Sequence, residues 1–272
     1  MSWMPNHGRP RLKFLETRRL LTLFLLGALI WSLTSVDWTG PLVHKGGVTA
    51  AARFLLALFP PDLSPEFLAI VLKASVQTVA FALAGISVAL LIGFPLGIIA
   101  SGTLLPSSSP LKTPLIVASR FLLAAIRSVH ELVWAVLFVA AVGLSPLAAI
   151  LALGLPYGGI LGRVYAELLQ DVPSEPLRAL RAAGASPTRL LFYGYLPMAM
   201  PDLLGYTFYR FECAIRAAAI MSFVGIQGLG YQMQISLQDL LFNQVWTLLL
   251  FMVGIIVVVD MWSTRVRRSL AL

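Results

Sequence analysis

The sequence predicts an all-α integral membrane protein with six transmembrane helices and both termini in the cytoplasm. Three observations carry that prediction: the composition, six long apolar runs, and the placement of the cations. Of 272 residues, 58% are apolar and 12% charged, with a mean hydropathy of +0.86, whereas a soluble domain is about half apolar and a quarter charged. Too few polar residues exist to cover a water-soluble globule of this length. The single cysteine, Cys213, excludes a disulfide within the chain.

The elements follow in chain order. Residues 1–19 form a basic tail, with Arg9, Arg11, Lys13, Arg18 and Arg19 ahead of an apolar run at 20–36. No small-x-small cleavage site follows before Asp37 and Trp38, so this run reads as an uncleaved signal anchor. Residues 37–69 form an outer, periplasmic segment containing Gly46-Gly47 and Phe59-Pro60-Pro61. A transmembrane core spans 70–265, with runs at 70–101, 116–143, 146–169, 198–222 and 244–263, each long enough to cross a bilayer. The 70–101 run exceeds one perpendicular crossing, which predicts a tilt or an extension into the cytoplasm, and a bend near Gly93-Phe94-Pro95. A polar inner segment at 170–196 and a short cytoplasmic tail at 266–272 complete the chain.

Orientation follows from the loop cations, because short basic segments resist translocation. With the N-terminus inside, thirteen cations fall on the inner side: five in the tail, Lys112, then Arg163, Arg178, Arg181 and Arg189, then Arg265, Arg267 and Arg268. Only Lys45 and Arg53 fall outside. The net charge of +8 is therefore an inner-face charge suited to anionic membrane lipids, and it requires no nucleic acid.

Residues 177–197 have their own local logic. Leu177 to Ala183 are good helix formers, with Leu177 and Leu180 on one side and Arg178 and Arg181 on another. Gly184 suits the left-handed end of a helix, Ser186 can cap the next one, and Pro187 fits its first turn. Leu196-Pro197 then opens the fifth run, with Pro201 one turn later. Two short helices joined by a rigid elbow are expected, forming a knob that can fill a socket on another protein.

The Ala-Gly-Ala-Ser-Pro run (Ala183 to Pro187) followed by Leu196-Pro197, with Gly184 and Pro197 thirteen apart, resembles the cytoplasmic coupling loop of binding-protein-dependent ABC importer permeases. The resemblance implies the type I, MetI-like permease architecture. It also implies that Arg178, Ala179, Arg181, Gly184, Ala185, Ser186, Pro187, Leu196 and Pro197 belong to a loop that docks on an ATPase subunit. The family begins this loop with Glu-Ala-Ala; here Arg178-Ala179-Leu180 stands in that place, and Glu175 lies one turn earlier. Residues 46–63, 120–148 and 209–230 are similar to the phosphonate and phosphite branch, most specifically at Arg-Ser-Val-His-Glu (127–131) and Tyr-Arg-Phe-Glu (209–212). That branch implies uptake of a small phosphorus oxyanion across the bacterial inner membrane. It implies as partners a periplasmic phosphonate- or phosphite-binding protein and two ATPase subunits that hold ATP and magnesium, this chain carrying no cofactor of its own.

Ionisable groups at membrane depth cost at least about 2.5–3.5 kcal/mol each on insertion scales and face partners or wet cavities. Lys73 and Arg120 are expected near helix ends, where they can snorkel. Arg127 with Glu131, and Glu212 with Arg216, stand at i, i+4 and are expected to pair along one helix face. Arg210 has no acid at either helical spacing; its neighbours there include Tyr206 and Cys213. Roughly mid-bilayer by its distance from Pro201, Arg210 is the candidate cation of an anion path, with Arg127 nearby, because guanidinium forks match oxyanion oxygens. His130 beside Glu131 supplies too few ligands for a metal and reads as a packing histidine.

Glycines are dense in two runs: Gly85, Gly93 and Gly97, then Gly154, Gly158, Gly159 and Gly162. The Gly158/Gly162 spacing marks a small-xxx-small face for packing within the chain or against a second copy, and a homodimer is expected. The sequence contains no phosphate-binding Gly-x-x-x-x-Gly-Lys-Ser/Thr run, metal-ligand cluster or nucleophile elbow, so energy for transport is expected from a partner. The rival readings are a secondary transporter driven through its own buried charges, and a membrane enzyme acting on lipids.

Overall fold

The computed structural model describes residues 11–36, 38, 46–106, 109–221 and 225–270, and among these every regular element is helical. In chain order they are α1 (Arg11–Thr34), α2 (Gly47–Leu56), α3 (Pro65–Ser101), α4 (Lys112–Ser128), α5 (Glu131–Val142), α6 (Pro146–Gln170), α7 (Ser174–Ala182), α8 (Pro187–Leu190), a π-helical turn (Leu191–Tyr195), α9 (Leu196–Met221), α10 (Leu229–Gln238) and α11 (Phe242–Leu270). Arg9, Lys45, His7, His44, Asp37 and the last residue of the expected 198–222 run lie outside the described residues.

The chain divides into two units, residues 1–55 and 56–272. In the first, α1 covers the expected 20–36 run as far as Thr34, two residues short of its end, and presents exposed apolar side chains, Phe24 and Trp31 among them. Beyond its end the Trp38 indole donates to the Leu33 carbonyl at 2.6 Å. The short α2 buries none of its residues.

Small residues at four-residue spacing build the centre of the second unit. Gly85, Ala89, Gly93 and Gly97 form a ladder on α3, and Gly154, Gly158, Gly162 and Ala166 form one on α6. A β-carbon on Gly97 would stand 2.8 Å from the Gly162 carbonyl oxygen, and one on Gly154 would stand 3.2 Å from that of Gly85. The order of these contacts makes α3 and α6 parallel. The Gly158/Gly162 face is thus spent inside the chain, where backbone approach replaces side-chain bulk with dispersion contacts.

Parallel neighbours require the chain between them to return, and α4 with α5 makes that return. The expected 116–143 run is not one helix: α4 and α5 meet at 84° across Val129 and His130. His130 caps α5, its Nδ1 accepting the Leu132 N–H at 3.2 Å, and its imidazole is exposed at the break, not packed in a core. The break closes locally through the Trp134 indole, which donates to the Ile126 carbonyl at 3.3 Å.

Antiparallel to α6 runs α9, with Thr207 hydrogen-bonded to the Tyr165 hydroxyl and Arg210 over the Tyr157 ring. The start of α11 is tied to the residues before α3: Asn243 donates to the Pro60 carbonyl at 2.8 Å, Gln244 to the Asp62 carboxylate at 3.1 Å, and Thr247 to the Asp62 carbonyl at 2.9 Å. A β-carbon on Gly205 would meet the Arg267 side chain, so the end of α11 lies beside the start of α9. Direction alternates along α3, α4–α5, α6, α9 and α11.

Among the described residues, α3, α6 and Phe242–Ser269 of α11 are long and apolar enough to cross a membrane, and α4 with α5 adds a fourth if the bent pair is one span. The bend expected near Gly93-Phe94-Pro95 does not divide α3, which continues as one helix through Pro95. It also starts at Pro65, five residues before the expected run. Arg120, expected near a helix end, sits inside α4 and donates from Nε to the Ala100 carbonyl at 3.1 Å.

Candidate functional site

The elbow forms as its residues dictate. Gly184 has φ +78°, and its N–H donates to the Arg181 carbonyl at 3.0 Å while the Ala185 N–H donates to that of Leu180 at 3.1 Å. These two bonds are the Schellman closure of α7. Ser186 then caps α8, accepting the Arg189 N–H at 3.4 Å, and Pro187 occupies the first turn, where its missing N–H costs nothing. A β-carbon on Gly194 would stand 2.7 Å from Leu177 Cδ2, so the absent side chain of the π turn is what admits α7. The π turn has a cause in Pro197, which lacks an N–H and whose ring would crowd the Tyr193 carbonyl of a regular helix. Widening, with the Leu196 N–H donating to Leu191 O, relieves the crowding.

Of the expected docking residues, Arg178, Ala179, Arg181, Gly184, Ser186 and Pro197 are exposed, and Ala185 and Pro187 are half-buried. Leu196 is buried in the core and cannot touch a partner; its part is to anchor α9. Arg181 donates to the Tyr195 hydroxyl at 3.2 Å, and Arg178 to Ser174 at 3.4 Å, so both cations are held on the elbow's own frame. The elbow and the turn after α3 share one end of the bundle, joined by Gln170, which donates to the Ser101 carbonyl at 2.9 Å. A cavity of about 520 Å³ lies there, lined among others by Lys112, Gln170, Arg181 and Pro187.

Inside the bundle, Arg210 donates from Nε and from a terminal nitrogen to the Tyr206 hydroxyl, at 3.0 and 2.7 Å. Its guanidinium also lies 5.2, 5.6 and 5.9 Å from the rings of Tyr206, Tyr209 and Tyr157. Three ring faces and a hydroxyl therefore hold a cation that, among the described residues, has no carboxylate partner. Glu212 pairs with Arg216 at 3.2 Å, as expected from i, i+4 spacing, and Arg216 also donates to the Cys213 sulfur at 3.4 Å. Glu131, from the first turn of α5, and Arg216 lie within electrostatic reach of the buried Tyr157.

The expected pairing of Arg127 fails at the break at Val129-His130. Arg127 and Glu131 do not pair, because the last turn of α4 and the first turn of α5 point apart; the Glu131 carboxylate lies 3.7 Å from His130 instead. Arg127 lines a groove walled by α3, α4 and α6. Tyr157 and Tyr209 were missed by the sequence reading. Tyr209 stands beside Arg210 in sequence, but Tyr157 comes from another helix and carries no local signal.

The comparisons with known proteins place this helical chain among the membrane permease subunits of ABC importers. Over 76% of this chain and 99% of the other, the fold matches a chain of the inward-facing MetNI methionine ABC transporter, with a TM-score of 0.68 at 21% identity. The chain belongs to the family of binding-protein-dependent transport system inner membrane components, whose pattern matches residues 93–271. It is 32% identical to the phosphite transport system permease protein PtxC of Stutzerimonas stutzeri, over 88% of this chain and 83% of the relative. It is also 29% identical to the phosphate-import permease protein PhnE of Mycolicibacterium smegmatis, over 79% of this chain and 40% of the relative. The chain is thus a transport subunit and not an enzyme; in ABC importers of this family a separate ATPase subunit hydrolyses ATP.

Proposed function

We propose that this chain is the membrane-spanning subunit through which a phosphorus oxyanion, phosphite or a phosphonate, is imported across the bacterial inner membrane. The observation that carries the substrate class is Arg210: a guanidinium within the bundle, held by Tyr206 and three ring faces, with no carboxylate among the described residues to cancel it. Such a cation lowers the cost of bringing an oxyanion into a low-dielectric path. The names of the relatives support the same class. Phosphate and hypophosphite are the alternative substrates.

In this reading the chain crosses six times, with α1 first, α4–α5 as one broken crossing, and both termini cytoplasmic. Alternating direction along the second unit supports this, as does the excess of cations at the end carrying the elbow. The exposed elbow, Arg178 to Pro187, docks on the ATPase subunit, which holds ATP and magnesium. Two copies of this chain pair around the path, two ATPase subunits sit below, and a periplasmic binding protein delivers the anion. Glu131, Glu212 and Arg216 border the path near Tyr157 and Arg210.

Reconstitution tests the reading. Proteoliposomes containing this chain, its ATPase and its binding protein are expected to accumulate phosphite or a phosphonate only with ATP. Arg210→Gln is expected to lower uptake while leaving assembly intact. Uptake driven by an ion gradient without the ATPase would establish the secondary-transporter alternative, and unchanged uptake in Arg210→Gln would remove this residue from the path.

A further inference from the structure

The groove between α3, α4 and α6 gathers three cations that the sequence scatters over 44 positions: Arg120 and Arg127 from α4 and Arg163 from α6. Its volume is about 360 Å³, with Leu123 on its apolar side and Glu167 and Gln170 at its rim. The one acid is already neutralised, since Glu167 pairs with Arg163 at 2.8 Å. Arg120 spends its Nε on the Ala100 carbonyl, Gln170 is engaged with Ser101, and the Nε of Arg127 is buried with no acceptor. Among the described residues neither Arg120 nor Arg127 has a carboxylate within ion-pair distance. The groove therefore keeps two guanidinium groups without a carboxylate, and for Arg127, whose Nε is buried beside the apolar wall, that is costly until an anion enters.

We propose that this groove binds a phosphate-bearing anion, the chemistry shared by the phosphodiester headgroup of an anionic lipid and by free inorganic phosphate. Guanidinium forks on two helices match tetrahedral oxyanion geometry, and basic pockets between membrane helices hold anionic headgroups. Arg120 and Arg163 are exposed, which leaves the groove open to a ligand. The site shares no residue with the Arg210 cluster and does not depend on what that cluster carries. A bound anion here would bridge α4 to α6 beside the elbow's end of the bundle, where Gln170 already ties α6 to the end of α3.

The test uses the full chain purified in detergent. Native mass spectrometry is run with phosphatidylglycerol against phosphatidylcholine, and thermal unfolding is followed with inorganic phosphate against chloride at matched ionic strength. Preferential retention of phosphatidylglycerol assigns a lipid headgroup, and stabilisation by phosphate assigns a free oxyanion. Either effect is expected to weaken about tenfold in Arg127→Gln and in Arg120→Gln, since each variant removes a charge-assisted contact. Arg120→Gln decides if Arg127→Gln does not fold, because Arg120 is exposed. The proposal is overturned if neither anion is preferred over its control, or if a folded Arg120→Gln protein binds as the wild type does.

Discussion

Gly93 of α3 and Gly158 of α6 lie backbone to backbone: a β-carbon on Gly93 would stand 2.7 Å from the Gly158 carbonyl oxygen. No side-chain rotation relieves such a contact, because the obstacle is main chain. The two helices run parallel at this distance, and the rest of the second unit is arranged around them.

Gly93→Ala is therefore expected to destabilise the protein by about 1–3 kcal/mol, the usual cost of overpacking. Gly254→Ala in α11 is the control, since nothing lies within 4 Å of a β-carbon there and alanine favours the helix. Thermal unfolding in detergent should show a lower midpoint for the first variant and an equal or higher one for the second.

At Gly184 the constraint is of another kind. Its φ of +78° disfavours a side chain although the space around it is open, so Gly184→Ala is expected to cost about 1–2 kcal/mol locally. Hydrogen exchange should quicken across 174–190 and stay unchanged in α3 and α6. In the reconstituted transporter, ATP hydrolysis should become less dependent on this subunit.

The broken helix separates two ion pairs that look alike in the sequence. A double-mutant cycle on Glu212 and Arg216, 3.2 Å apart, should return a coupling of about 0.3–0.5 kcal/mol. The same cycle on Arg127 and Glu131 should return nothing beyond error. A coupling there as large as the first would mean that the 84° break closes in the membrane.

Tyr206 accepts two hydrogen bonds from Arg210, and Tyr206→Phe removes the acceptor while keeping the ring. The cation is then left partly buried without its hydroxyl partner, at a cost of about 1–3 kcal/mol. A lower unfolding midpoint in Tyr206→Phe, recovered in part by the double variant Tyr206→Phe with Arg210→Gln, would establish that the hydroxyl serves the guanidinium.

Asp62 accepts the Ser64 N–H at 3.0 Å and a Gln244 amide hydrogen at 3.1 Å. The bonds from Ser64 chiefly, with Gln244 adding to them, hold its pKa below the ordinary 3.8. A carboxylate depressed on folding stabilises fully above its unfolded pKa and loses that contribution as pH falls through the folded value. The tie between the start of α11 and the residues before α3 is thus at full strength near neutrality and weakens only below 3.8. Asp62→Ala should lower the unfolding midpoint at neutral pH, and the difference from wild type should vanish well below 3.8.

The sequence by itself determined the solvent, the apolar runs and the elbow, because each rests on local chemistry. A run of about 20 apolar residues suits a bilayer wherever it falls, and Gly184, Ser186 and Pro187 specify a turn within four positions. The family resemblance was legible at the same places. Only the tertiary structure decided which small-residue ladders meet, and it turned the Gly158/Gly162 face inward upon Gly93 and Gly97. It also decided the partners of the buried cations. Arg127 and Glu131 are four residues apart, yet a two-residue break sends one to a groove with Arg120 and Arg163 and leaves the other near Tyr157. Arg210 finds Tyr206 on its own helix and Tyr157 on a helix more than 50 residues away. Helical spacing predicts contacts along one unbroken helix; it carries no information on where a helix breaks or which other helix it meets.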